Sequence, residues 1–142
     1  MIIIKDLMKR YSKKRESILN CIANTKEHPN AEWVYNQLKP EYPSLSLATV
    51  YRNISELIAD GKVKSVCVIN DKEKFDGNTM PHMHAVCSVC GKILDIENVS
   101  VPNELLKKAE RETEFEVSYS NIQLIGVCKD CREKESEQRD EK

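Results

Sequence analysis

The sequence predicts an α+β chain, and three observations carry that prediction. Apolar side chains recur at helical spacing through residues 1–60. Two short β-like runs flank Asn70-Asp71. Past Gly77, period-two alternation appears beside two Cys-x-x-Cys pairs. Helices closed by a hairpin are the layout of a winged helix-turn-helix. The predicted arrangement is that domain over residues 1–76, followed by a smaller α/β domain over 77–142 containing a structural zinc site.

In the first half, Ile4, Leu7, Met8 and Tyr11 follow the i, i+3, i+4, i+7 spacing of an amphipathic helix. Ser12 is a candidate cap for a second helix with Ile18, Leu19, Ile22 and Ala23 on one side. Asn30 can cap a third, with Ala31, Val34, Tyr35 and Leu38 inward and Pro40 near its end. Pro43 enforces extended chain, and Ser46 caps a fourth helix from Leu47 to about Asp60, stopped by Gly61. Leu47, Val50, Ile54, Leu57 and Ile58 form its buried stripe; Ala48, Thr49, Tyr51, Arg52, Asn53 and Ser55 face out. Val63–Ile69 and Lys72–Phe75 then read as strands, joined by Asn70-Asp71 as a two-residue turn.

In the second half, Met80–Cys87 and Lys92–Glu97 read as strands around the first Cys pair. A helix from about Pro102 to Glu112 is expected to bury Leu105, Leu106 and Ala109. Phe115, Val117 and Tyr119 alternate, and the phase then slips to Ile122 and Leu124, which predicts a bulge near Ser120-Asn121. The polar tail after Cys131 is expected to fray.

Overall charge is nearly balanced, with 22 basic and 23 acidic residues, but the halves differ. Residues 1–73 carry 12 basic and 9 acidic groups, and residues 74–142 carry 10 and 14. The positive half holds the helix-turn-helix pattern and the cluster Lys13-Lys14-Arg15, which suits phosphate contact, although such runs also occur on plain solvated helices. Ile2-Ile3-Ile4 is too short and too soon charged for an export signal, and no run reaches membrane-spanning length, so a cytoplasmic location is expected.

In a reducing compartment, paired cysteines point to metal or redox chemistry more than to structural bridges. Cys87-x-x-Cys90 and Cys128-x-x-Cys131 have knuckle spacing, and a set of four thiolates suits structural Zn2+. The pairs lie 38 positions apart, so the ion would clip the C-terminal segment onto the first hairpin of the second domain. Cys21 and Cys67 read as buried apolar thiols.

His82 and His84 are two apart on a predicted strand, on one face, about 6–7 Å apart along the chain. Cys87 has the opposite parity, so the His pair and the Cys pair belong to different sites. A turn around Ser88-Val89 would set Asp95 roughly opposite His84, with Asp95 and Glu97 on the histidine face and Leu94 and Ile96 toward the core. A His-x-His pair without metal is the competing reading; the matching carboxylates favour a site.

The combination of Ser46-Leu-Ala-Thr-Val-Tyr-Arg-Asn53, the hairpin to Phe75-Asp76, His82-x-His84, Cys87-x-x-Cys90-Gly91-Lys92 and Gly126-Val-Cys128-x-x-Cys131 resembles the ferric-uptake-regulator (Fur) family, from about Tyr11 to Cys131. The resemblance implies a repressor with a DNA-binding winged helix, an α/β dimerisation domain and a metal site coupling them. It assigns Cys87, Cys90, Cys128 and Cys131 to structural zinc. It assigns His28, Asp76, His82, His84 and Asp95 to a regulatory metal. That nitrogen- and oxygen-rich set suits Fe2+ or Mn2+.

Asp95 stands where uptake regulators of the family usually carry Glu and peroxide-sensing repressors (PerR) carry Asp. The resemblance therefore implies Fe-catalysed oxidation of His28 and His82 by H2O2, with release of operator DNA. An iron- or manganese-responsive uptake regulator is the alternative. A metallohydrolase is a distant third, with Glu97 as the only nameable base. The chain departs from the family at Ser12-Lys-Lys-Arg15, where Thr-x-Gln-Arg is usual. Tyr119 and Ser120 replace a common His, so the extra metal site of some relatives is expected to be missing.

A dimer would set two recognition helices into major grooves about 34 Å apart, so a metal that fixes the inter-domain angle selects the DNA-competent state. Tyr51 and Arg52 are the expected base-edge contacts, with Ser46, Thr49, Lys13, Lys14 and Arg15 on phosphate. The expected partners are double-stranded operator DNA and a second copy of the chain, with no membrane.

Overall fold

Helical spacing runs unbroken through the first 23 residues. The computed structural model describes residues 2–140, with side chains from residue 13 onward, and forms a single helix there, α1 (Ile2–Ala23). This corrects the expectation of two helices with Ser12 as a cap, since Ser12 lies inside α1. No Gly or Pro interrupts Ile2–Ala23, and Tyr11 and Ile18 are seven residues apart, so the two apolar spacings continue in one phase. The stripe Ile4, Leu7, Met8 and Tyr11 lies outside the described side chains.

The chain divides into two units, Met1–Thr79 and Met80–Lys142. The first contains α1, α2 (Ala31–Leu38), α3 (Leu47–Ala59), β1 (Lys64–Ile69) and β2 (Lys72–Asp76). Each short helix has a side-chain start signal. Asn30 Oδ1 accepts the Trp33 N–H at 2.8 Å, and Ser46 Oγ accepts the Thr49 N–H at 3.1 Å. Gly61, at φ +72, follows α3 as expected of its stop. Asn70 and Asp71 have φ of 52° and 63°, the left-handed pair a two-residue type I′ hairpin requires.

Ile18 and Ile22 of α1, Val34 of α2, Val50, Ile54 and Leu57 of α3 and Phe75 of β2 make the core of this unit. Asn53 belongs to it too, at 1% exposure, which corrects its outward assignment. Positions 50, 53, 54 and 57 are one helical stripe, and spacing overrides residue polarity here. The Asn53 Nδ2 donates to the Thr49 carbonyl at 2.8 Å, while its Oδ1 has no hydrogen-bond partner among the described residues.

The second unit is a three-stranded sheet with two helices. β3 (His82–Cys87) pairs antiparallel with β4 (Ile93–Glu97) and parallel with β5 (Gln123–Gly126), giving the order β4-β3-β5. The helices are α4 (Asn103–Thr113) and α5 (Lys129–Asp140).

Four expectations change in this unit. Leu94 does not face the core; it is 52% exposed, and the histidine face carries the buried apolar pair Val86 and Ile93. α4 forms, but none of its residues is buried and Leu105 is 54% exposed. Residues 115–121 form no strand or bulge, and Phe115 and Tyr119 are exposed. The apolar spacing in α4 and the alternation after it call for a cover that the described residues of this chain do not supply. Finally, the tail is helical, not frayed. Cys131 is buried in its first turn, Lys129 pairs with Glu133 at 3.9 Å, and Asp130 and Arg139 complement the helix dipole. No described helix is long and apolar enough to cross a membrane.

Candidate metal centres

The sheet brings the two distant Cys pairs together. Parallel pairing sets Cys87 at the end of β3 beside Gly126 of β5, and the Ser88 N–H donates to the Gly126 carbonyl at 2.8 Å. Cys128 follows directly, and the first turn of α5 carries Cys131. On the other side, Gly91, at φ +77, closes the knuckle, with its N–H on the Cys87 carbonyl at 3.0 Å.

All four Sγ atoms lie within 4.8 Å of one another, with Cys87–Cys131 at 3.9 Å and Cys90–Cys128 at 3.8 Å. A tetrahedron with Zn–S bonds of about 2.3 Å has edges of about 3.8 Å, so the sulfurs fit one Zn2+. Those separations are far from the roughly 2.05 Å of a disulfide. The Cys90 N–H, then the Cys128 N–H, point at Cys87 Sγ and lower its pKa to about 6. The Cys131 thiol is pushed up to about 12, first by its hydrogen bond with Cys128 and then by burial. Backbone donors thus favour thiolate at Cys87, while Cys131 lies in a crowd of sulfurs whose joint ionisation calls for a cation. Cys21 and Cys67 stand outside this cluster and are half-buried rather than buried, with thiol pKa values raised by burial; Cys21 packs against the core of the first unit.

A second donor set lies on the same sheet. The β3–β4 register pairs His84 with Asp95 and His82 with Glu97, as strand parity predicted. His82 Nε2 is 3.0 Å from His84 Nε2, and Asp95 Oδ1 is 3.2 Å from His84 Nε2 and 3.6 Å from His82 Nε2. Neighbouring ligands on a six-coordinate ion with bonds of roughly 2.1 Å are about 3.0 Å apart, so these atoms fit one face of such an ion. His82 Nδ1 lies 2.6 Å from the Met80 carbonyl; with the proton on Nδ1 as that donor, Nε2 is the nitrogen that carries the lone pair for a metal. Glu97 is exposed and outside the donor cluster, leaving the hydrolase reading without a placed base.

The first unit holds a His–Asp pair of its own. His28 and Asp76 are buried at 3% and 8% exposure, with Nε2 and Oδ2 3.5 Å apart. His28 occupies the left-handed region at φ 52, immediately before Pro29. The Phe75 N–H donates to the Pro29 carbonyl at 2.9 Å, tying the His28 loop to the strand that ends in Asp76. The Asn78 N–H donates to Asp76 Oδ1 at 2.9 Å and directs the carboxylate. Sequence reading did not identify the Met80 carbonyl or the Asn78 amide, because backbone groups leave no signature in residue type.

On α3, Tyr51 and Arg52 are exposed, and Ser46 Oγ lies 2.8 Å from Thr49 Oγ1 at the helix start. Lys13 is exposed and Lys14 half-buried. Arg15, the third basic residue of that cluster, is half-buried. Its guanidinium pairs with Glu56 and, at 3.8 Å, with Asp60, bracing α1 against α3.

Comparison with known proteins agrees with this combination of wing, helix and donor sets. The sequence matches the profile of the ferric uptake regulator family over residues 7–125. The chain belongs to the ferric uptake regulator family. It is 34% identical over 125 residues to the peroxide-responsive repressor PerR of Staphylococcus aureus, covering 88% of this chain and 84% of that protein. Its fold superposes on the Campylobacter jejuni peroxide stress regulator with a TM-score of 0.73 at 31% identity, over 91% of this chain and 96% of that one. It shares the fold of the Helicobacter pylori regulator Fur, with a TM-score of 0.69 at 19% identity, over 92% and 88% of the two chains. As a Fur-family protein it is a metal-responsive, DNA-binding transcriptional regulator and not an enzyme. The family binds structural zinc and regulatory iron or manganese, and this chain has a four-cysteine cluster and His and Asp donors.

Proposed function

We propose that this chain is a homodimeric repressor that senses hydrogen peroxide through a regulatory Fe2+ held by His28, Asp76, His82, His84 and Asp95. The observation that carries the reading is the convergence of His82 Nε2, His84 Nε2 and Asp95 Oδ1 within 3.0–3.6 Å on one strand pair. Similarity to proteins described as peroxide-responsive supports the sensing role. Bound Fe2+ supplies the chemistry that reduces H2O2. The net change is transfer of one oxygen to a ligand imidazole, with one water formed.

The chain's own residues supply the rest. His28 and Asp76 belong to the winged-helix domain over residues 1–76. His82, His84 and Asp95 belong to the domain over 77–142 that dimerises and holds Zn2+ through Cys87, Cys90, Cys128 and Cys131. Ligation by both sets ties the two domains at one angle and selects the operator-binding state. Oxidation of His28 or His82 removes a neutral nitrogen donor, weakens the tie and releases DNA. The exposed apolar side chains of this domain, Leu94, Leu105, Leu124 and Ile125 among them, support dimerisation, because a second copy can cover them. On operator DNA, Tyr51 and Arg52 read base edges while Ser46, Thr49, Lys13 and Lys14 contact phosphate.

The test is mass spectrometry of Fe2+-loaded protein after mild H2O2. A one-oxygen gain on the peptides holding His28 or His82, with loss of operator binding, is the expected result. Unmodified peptides with DNA binding intact would make the protein an iron- or manganese-responsive uptake regulator.

A further inference from the structure

The residue after Asp76 is a glycine whose place cannot be explained by backbone conformation. Gly61 and Gly91 have positive φ; Gly77 does not, so its backbone is one that other residues adopt. What Gly77 requires is room. A Cβ built on it would lie 2.7 Å from the Ala23 Cα, 3.1 Å from the Ala23 nitrogen and 3.1 Å from the Ala23 Cβ. The closest atom is helix backbone at the end of α1, not the tip of a flexible side chain, so a methyl group there must displace main chain.

We propose that Gly77 is a positioning residue for the regulatory metal, seating the Asp76 carboxylate by direct backbone contact with the C-terminus of α1. The proposal rests on the reading of Asp76 as a ligand. Asp76 is held from three directions. The Phe75 N–H on the Pro29 carbonyl fixes the strand before it, and the Asn78 N–H on Oδ1 fixes the carboxylate. The Gly77–Ala23 contact fixes the chain immediately after it. Oδ2 is left on the His28 side at 3.5 Å from Nε2. The backbone shift that a Cβ at Gly77 demands moves the carboxylate relative to His28.

The experiment is Mn2+ titration of the zinc-loaded protein, read by the electron paramagnetic resonance signal of free Mn2+, for wild type, Gly77→Ala, Asp76→Ala and the double variant. Gly77→Ala is expected to weaken Mn2+ binding roughly tenfold or more, with zinc content unchanged. Because Gly77 acts through Asp76, adding Gly77→Ala to Asp76→Ala should cost nothing more. Losses that add in the double variant would identify a merely structural role and overturn the proposal. So would wild-type Mn2+ affinity in Gly77→Ala while Asp76→Ala loses it. Wild-type affinity in Asp76→Ala would instead overturn the ligand assignment itself. If Gly77→Ala does not fold, Gly77→Ala/Ala23→Gly, which removes the Cβ at 3.1 Å, replaces it in the same comparison.

Discussion

Stripping zinc is expected to unfold the second unit and leave the first folded. Among the described residues of the second unit, the buried side chains besides His84 are Val86, Cys87, Ile93 and Cys131, so two of the four buried apolar groups belong to the proposed zinc site. The first unit has an eleven-residue apolar cluster running from Ile18 to Phe75 and needs no metal to hold it. Structural Zn2+ in small domains contributes about 10–16 kcal/mol of apparent binding free energy at neutral pH, which makes each of four sulfur bonds worth about 3 kcal/mol. Cys131→Ser shortens the donor arm and substitutes an alcohol that stays protonated. It should therefore weaken zinc by about a hundredfold or more, at about 1.4 kcal/mol per tenfold. The assay is hydrogen exchange by mass spectrometry on wild type and Cys131→Ser, before and after chelation, with zinc measured by atomic emission. Amides of β3, β4 and β5 should lose protection while those of α2 and α3 keep it. Undiminished protection of the sheet in protein shown to be free of zinc would refute the reasoning.

Asn53→Leu should be neutral or stabilising by about 1 kcal/mol in urea unfolding, because it removes a buried acceptor with no partner; a loss above about 2 kcal/mol would mean that Oδ1 is satisfied. Ser46→Ala removes the α3 cap and should lower stability by about 1 kcal/mol in the same assay. Arg52→Ala should weaken specific operator binding by about 1–3 kcal/mol in fluorescence anisotropy at fixed salt while sparing non-specific binding. Equal losses on both DNAs would make Arg52 a phosphate contact.

Local chemistry was legible in the sequence wherever one element sufficed. Asn30, Ser46 and Asn70-Asp71 each set their own cap or turn, and strand parity with a short turn after Cys87 put Asp95 on the face of His84. Errors arose where residue type was weighed above spacing or where cover comes from beyond one chain. Ser12 looks like a cap but lies inside an unbroken stripe, and Asn53 looks solvent-facing but shares the phase of Val50 and Leu57. Leu105 and Phe115 have the pattern of buried residues without a burying surface among the described residues of their own chain. His28 carries no signal of its own in the sequence; only the family resemblance assigns it. Its place beside Asp76 depends on the backbone bond between Phe75 and Pro29.

The most direct test of metal-gated DNA binding is the effect of Mn2+ on operator affinity for chelated, zinc-retaining wild type and His28→Ala, at constant ionic strength. Mn2+ should restore tight binding to the wild type and leave His28→Ala unresponsive, with both proteins dimeric and folded. Operator binding by the wild type that is indifferent to metal, or a His28→Ala protein that responds as the wild type does, would contradict it.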